Sequence, residues 1–324
     1  MPGPEGGLKD LPMMYIGEIA ALSTVLCWAI GTLSFESAGR RIGSTTVNFI
    51  RLTMAWGMLA VWGLVSSRYM IIPLNASGQE WLWLAMSGLV GFFLGDLCLF
   101  RSFILIGPRL CTLVFTLTPP MTALLEWMML GRQLSPLNGL GMAVTLGGVA
   151  WVVAERKAHP SVKKLWRPSV WGVSLAAFGA LGQALGMVLA SKVVNEMDPI
   201  AATQIRITSA LPAFAIMFCL LRWYPRIAKG LRDSRAMAQM TLGAFVGPVL
   251  GVSLLMLSIQ HLPAAVSQTF LALLPIVIIP FVMVIHKERV SPRAAIGAVV
   301  AVAGVAILFI GEDLWAWLVT SSAA

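Results

Sequence analysis

The sequence predicts an all-α integral membrane fold: ten transmembrane helices arranged as two inverted five-helix repeats. Three observations predict it. The 324 residues are 58% hydrophobic and 11% charged, whereas a globular domain is about a quarter charged, and the mean hydropathy is +0.84. The apolar residues fall into ten runs, each near the ~20 residues that cross a hydrocarbon core as a helix. The first five runs also match the last five at a nearly constant spacing.

Residues 1–15 carry Glu5, Lys9 and Asp10 among three prolines and form an N-terminal tail. This tail lacks a basic n-region, and no small-residue cleavage site closes the run that follows, so that run is expected to be a retained span. The first repeat, 16–154, holds spans at 16–35, 45–65, 81–105, 110–130 and 137–154. A basic linker, 155–169, leads to the second repeat, 170–310, with spans at 170–190, 200–221, 237–259, 264–285 and 294–310. A C-terminal tail, 311–324, follows. The runs are continuous rather than alternating, which excludes barrel strands.

At an offset of 155, Ile50-Arg51-Leu52-Thr53 falls on Ile205-Arg206-Ile207-Thr208, and Gly17 and Gly31 fall on Gly172 and Gly186. At an offset of 156, Gly91 and Gly95 fall on Gly247 and Gly251, Ser102 on Ser258, and Pro119 on Pro275. In the same register Ser135-Pro136 falls on Ser291-Pro292, and Gly141 and Gly148 on Gly297 and Gly304. Repeats with an odd number of spans enter the membrane from opposite sides. Two such copies are related by an in-plane pseudo-two-fold axis, which is a transporter layout with its substrate site near midplane. The glycine spacings serve close helix packing; contact with substrate is their alternative use.

Basic residues outnumber acidic ones by 23 to 14, a net charge of +9. They lie in short loops between apolar runs, so the partner they imply is a lipid bilayer and not nucleic acid. Loops after spans one, five, seven and nine hold fifteen of them, against Lys9, Arg68, Arg132 and Lys192 on the other side. Basic loops favour the cytoplasm, which places both termini outward in a cell membrane. Cys27, Cys98, Cys111 and Cys219 stand singly in apolar runs, and His159, His261 and His286 are isolated. No metal ligand set is expected, and no phosphate-binding Gly-x-x-x-x-Gly-Lys loop is present.

The run Cys27-Trp28-Ala29-Ile30-Gly31, the stretch Phe49-Ile50-Arg51-Leu52, and Gly95-Asp96-Leu97-Cys98-Leu99-Phe100-Arg101 through Ile106-Gly107 precede a Pro119-Pro120 helix and a glycine-rich closing span. In order and duplication these resemble the EamA family of the drug/metabolite transporter superfamily, as two consecutive units over essentially the whole chain. The family usually carries a Gly-Glu pair at the end of each fourth span. Here Gly131-Arg132 replaces it in the first copy, while Glu288, after His286-Lys287, keeps it in the second. The resemblance implies a carrier for small solutes, often an exporter of amino acids or other metabolites, with no cofactor and no ATP hydrolysis. It also suggests termini inside, against the loop charges.

Charged groups inside membrane helices cost at least ~2.5–3.5 kcal/mol each, so they are functional candidates by default. Arg51 and Arg206 are repeat-related and suit bidentate binding of a substrate carboxylate; snorkelling within a structural ion pair is the alternative. Asp96 is placed to pair with Arg51 or to titrate as a proton-coupling group, and its repeat partner is Val252. Arg101, five residues on, lies ~140° round the helix and does not neutralise it directly. Glu126, Asn48, Gln183, Gln204 and Gln268 complete the polar candidates. Trp28, Trp56, Phe115 and Phe270 wall a cavity or pack. Trp81, Trp83, Trp166, Trp171, Trp223, Trp315 and Trp317 fall at span ends as interfacial belts. Pro119, Pro120, Pro275 and Pro280 are expected to bend the fourth and ninth spans. The chain therefore reads as a secondary transporter of a small organic solute, outward by alternating access, with protons as the coupling ion and a homodimer as a possible assembly. The rival readings are an integral membrane enzyme and a lipid-handling subunit.

Overall fold

The computed structural model describes residues 15–66, 69, 71–155, 169–274, 276–277, 293 and 295–308. Among these residues the secondary structure is helical, with no strand. The first half runs α1 (Ile16–Ile42), α2 (Ser44–Val65), α3 (Gly78–Gly88), a π-helical segment (Leu89–Gly95), α4 (Asp96–Phe115), α5 (Thr118–Leu130) and α6 (Pro136–Glu155). The second half runs α7 (Val170–Ser191), a 3-10 turn (Val194–Glu196), α8 (Pro199–Leu220), α9 (Tyr224–Leu231) and α10 (Ser234–Ala244). A second π segment (Phe245–Gly251), α11 (Val252–His261), α12 (Ala264–Leu271) and α13 (Ala295–Leu308) complete it. Among the described residues six helices are long and apolar enough to cross a membrane, three in each half.

Local chemistry sets the helix ends. Ser77 and Glu80 form a reciprocal capping box that opens α3. The Asp198 side chain accepts the Ile200 amide ahead of Pro199, a proline at a position that needs no amide hydrogen. Gly43, at φ +86°, lets α1 turn directly into α2.

Packing exchanges the two halves. The first helix of each half, α1 or α7, lies against the third, fourth and π segments of the other half. Helices α2 and α8 pack on each other, as do α5 and α12. Swapping the halves maps this set of contacts onto itself. The crossings use repeat-related glycines: Gly91 meets Gly186 on one side, and Gly247 meets Gly31 on the other. In lipid, close backbone approach of this kind replaces the hydrophobic effect as the source of helix association. Phe214, Phe218, Leu52, Leu59 and Met187 fill the centre, while Val65, Trp171 and Leu220 face outward.

The span expected at 81–105 is found as one apolar stretch, Gly78–Ser102, long enough to cross a membrane, with a seven-residue π segment inside it. Helix continues through residues 106–109, between the third and fourth expected spans, but the chain bends sharply there. Ser102 Oγ lies 2.7 Å from Cys111 Sγ, whereas nine residues of straight helix would separate them by ~13.5 Å. Gly107-Pro108 lies between them, and proline is the usual cause of such kinks. Ser258 and Ser267, each 156 residues on, make the same contact at 2.8 Å across the α11–α12 turn.

Pro119 and Pro120 fall in the first turn of α5, just after a break at Phe115–Thr118. The repeat-related break follows Leu271, with helix resuming at Leu274. Pro275, Pro280, the remainder of the ninth span, His159, His286, Glu288, Trp166, Trp315 and Trp317 lie outside the described residues. So do Arg68, most of the basic linker, Lys287, Arg289 and both tails beyond residues 15 and 308.

Candidate functional site

The first π segment ends at Gly95, and Asp96 opens α4 immediately after it, 4% exposed. A π turn holds more residues than an α turn, so it redirects the side chains that follow. Such segments recur at functional sites. Here the Arg51 guanidinium reaches across from α2 and donates to the Asp96 carboxylate, forming an ion pair. Arg51 also sits between two aromatic faces, 5.6 Å from the Phe35 centroid and 5.4 Å from that of Phe100.

Arg206 on α8 is 1% exposed. Its Nη1 donates to Met256 Sδ at 3.6 Å, and its guanidinium carbon lies 4.6 Å from the Phe92 ring centroid. The Arg206 charge also acts on Asp96 through space. A methyl added at Gly91 would stand 3.5 Å from Arg206 Nη2 and 3.3 Å from Gln183 Oε1. Gly91, Gln183 and Arg206 therefore converge on the same π segment that presents Asp96. Arg51, Arg206 and Asp96 taken together carry one net positive charge; Glu18 and Glu126 are further buried acids. Neither arginine Nε has a hydrogen-bond partner.

Asn48 precedes Arg51 by one turn of α2. It is 1% exposed, with both amide atoms unpartnered. Gln268 is buried on α12. The other polar candidates are used elsewhere. Gln204 donates to the carbonyls of Trp56 and Ile71, tying the α2–α3 connection to α8. Glu126 accepts the amides of Ala264 and Ala265, both at 2.9 Å, and lies 3.8 Å from Arg132. A carboxylate on free amides at a helix start is a cap, favoured further by the helix dipole. This geometry gives Glu126 a structural task at α12.

Of the aromatic candidates, the Trp56 indole donates to Thr208 Oγ1 at 3.0 Å, Trp28 packs at Gly251, and Phe270 is fully buried. Phe35, Phe92, Phe100 and Met256 surround the arginines and were not singled out in the sequence. The signal that could have found two of them is the −4 and +4 spacing of Phe92 and Phe100 about Asp96 within the same apolar run. Among the described residues no group of His, Cys, Asp and Glu could hold a metal ion.

A model of the EamA-like transporter family matches the chain twice, over residues 15–154 and 170–310. Among solved structures, one described only as "Crystal structure of protein" is similar over 90% of this chain and 96% of its own, with a TM-score of 0.66 at 19% identity. That likeness supports the fold. No curated protein matches the chain in sequence.

Proposed function

The chain belongs to the EamA-like transporter family, within the drug/metabolite transporter superfamily, and from that premise we propose an exporter of a small organic solute bearing a carboxylate, such as an amino acid-like metabolite. Family members are membrane transporters, and this is a multi-pass membrane protein. The observation that carries the proposal is the cluster of Arg51, Arg206 and Asp96 in the bundle interior. Its unbalanced positive charge suits one further anion, and arginine presents planar paired donors to a carboxylate. Asn48 and Gln183 supply neutral hydrogen bonds to the rest of the solute.

In this reading ten spans form two inverted halves that alternate access around the cluster. The π segments and the symmetric breaks after Phe115 and Leu271 supply the points of bending. Asp96 serves proton and solute in turn: as a carboxylate it holds the solute's amino group, and a proton taken up from outside displaces that group, which couples export to proton entry. Both termini face outward, since the basic loops after spans one and seven share one side, and that side is cytoplasmic. The test is purified protein in sealed vesicles, assayed for uptake and efflux of a panel of acidic, zwitterionic and neutral solutes, with and without a pH gradient. Movement of carboxylate-bearing solutes, accelerated by an opposing proton gradient, is the expected result. Movement of neutral solutes alone, or of none, overturns the reading. Fluorescent and periplasmic reporters fused at the C-terminus check the orientation.

A further inference from the structure

The end of α1, the short helix α9 and the start of α10 line an open cavity of about 680 Å³. Its lining carries Arg41, Arg226, Lys229, Arg232 and Arg235 against a single acid, Asp233. That acid is already committed. Asp233 accepts from Arg41 Nε at 2.8 Å and from the Ala236 amide at 3.0 Å. The hydrogen bond from Arg41 is the main reason its carboxyl is held below the ordinary range. Lys229, Arg232 and Arg235 are exposed and form no ion pair with an acid among the described residues, while Arg226 lies over the Trp223 ring at 4.7 Å.

Helix α9 is built to lie along a membrane surface. Ile227 and Gly230 are buried, and Gly230 faces Ile42 and Thr46 of the first two helices. Arg226 and Lys229 point outward. Leu220, Leu221, Tyr224 and Leu231, at the two ends of the helix, are exposed apolar surface. A short helix with a basic outer face and exposed apolar residues at the ends of spans matches the chemistry of the headgroup region.

We propose that this cavity binds the phosphate of an anionic phospholipid headgroup, with the acyl chains against Leu220, Leu221 and Leu231. The phosphodiester would bridge α1 to α9 and α10, reinforcing the link that Arg41 and Asp233 already make. The site is separate from the Arg51–Asp96–Arg206 cluster, and it does not require the chain to carry any particular solute.

The test is thermal unfolding of the full chain in vesicles of phosphatidylcholine, with and without phosphatidylglycerol. Three proteins are compared: the wild type, the triple variant Lys229→Gln/Arg232→Gln/Arg235→Gln, and a control variant, Arg132→Gln/Lys192→Gln, altered at basic residues outside the cavity. Phosphatidylglycerol should raise the unfolding temperature of the wild type and the control but not of the triple variant. Binding of labelled phosphatidylglycerol should weaken roughly fivefold per cavity charge removed. Equal stabilisation of the triple variant, or loss of the effect in the control, overturns the proposal. Equal stabilisation of the wild type by inorganic phosphate in phosphatidylcholine alone would make this a site for free anions and overturn the lipid assignment.

Discussion

Arg51 and Asp96 form an ion pair that the other half of the molecule does not reproduce. Val252 occupies the position equivalent to Asp96, so Arg206 rests instead on Phe92 and Met256. The scaffold is symmetric while its buried charge is not. The shared scaffold therefore does not itself demand an acid at this position, which is the reason to test Asp96 for a role in coupling.

Replacing Asp96 with Asn retains shape and hydrogen bonding but removes titration. Asp96→Asn is expected to keep solute exchange and lose stimulation by a pH gradient. If Asp96 served only as the structural partner of Arg51, folded yield would fall instead, and adding Arg51→Gln would recover part of it. Full pH-driven transport by Asp96→Asn at normal expression would remove the coupling role.

Glu126 joins the fifth helix to the twelfth through two amide hydrogen bonds. Glu126→Ala leaves both buried amides unsatisfied and should cost about 1–3 kcal/mol, read as a lowered unfolding temperature in detergent. Arg132→Gln, which removes a more exposed partner at 3.8 Å, should cost less than about 1 kcal/mol. A Glu126→Ala variant of unchanged stability but abolished transport would return Glu126 to the transport site.

Neighbouring glycines on α6 provide an internal comparison. A Cβ on Gly148 would meet the Ala301 backbone nitrogen at 2.4 Å, whereas one on Gly147 meets nothing within 4 Å. Gly148→Ala should therefore push α6 from α13 and destabilise by about 1–3 kcal/mol, while Gly147→Ala should be neutral or slightly stabilising. Similar unfolding temperatures for the two variants would contradict the crossing.

The contact between Ser102 and Cys111 implies that the chain reverses within α4. Ser102→Cys should form an intramolecular disulfide with Cys111 under mild oxidation, detected by mapping cross-linked peptides. Absence of that link in folded protein, with the thiols reactive to small reagents, would mean that α4 is straight at this point.

Membrane residence, helical secondary structure and the duplicated plan were legible in the sequence. They rest on the length of apolar runs and the recurrence of residues such as Arg51 with Arg206 and Gly141 with Gly297, which need no knowledge of how helices rotate. The candidate site was legible only as a set of buried polar residues. Tertiary structure decided which of them meet, because a side chain's neighbours depend on helix rotation and crossing, to which hydropathy is blind. It aimed Asp96 at Arg51 through a π segment that periodicity could not reveal. It also drew Gln183 and Arg206 to Gly91, and assigned Glu126 to the start of a helix 138 residues away. The basic loops after spans one and seven were plain in the sequence, but their joining around one cavity at Arg41 and Lys229 follows from the packing of α1 against α10.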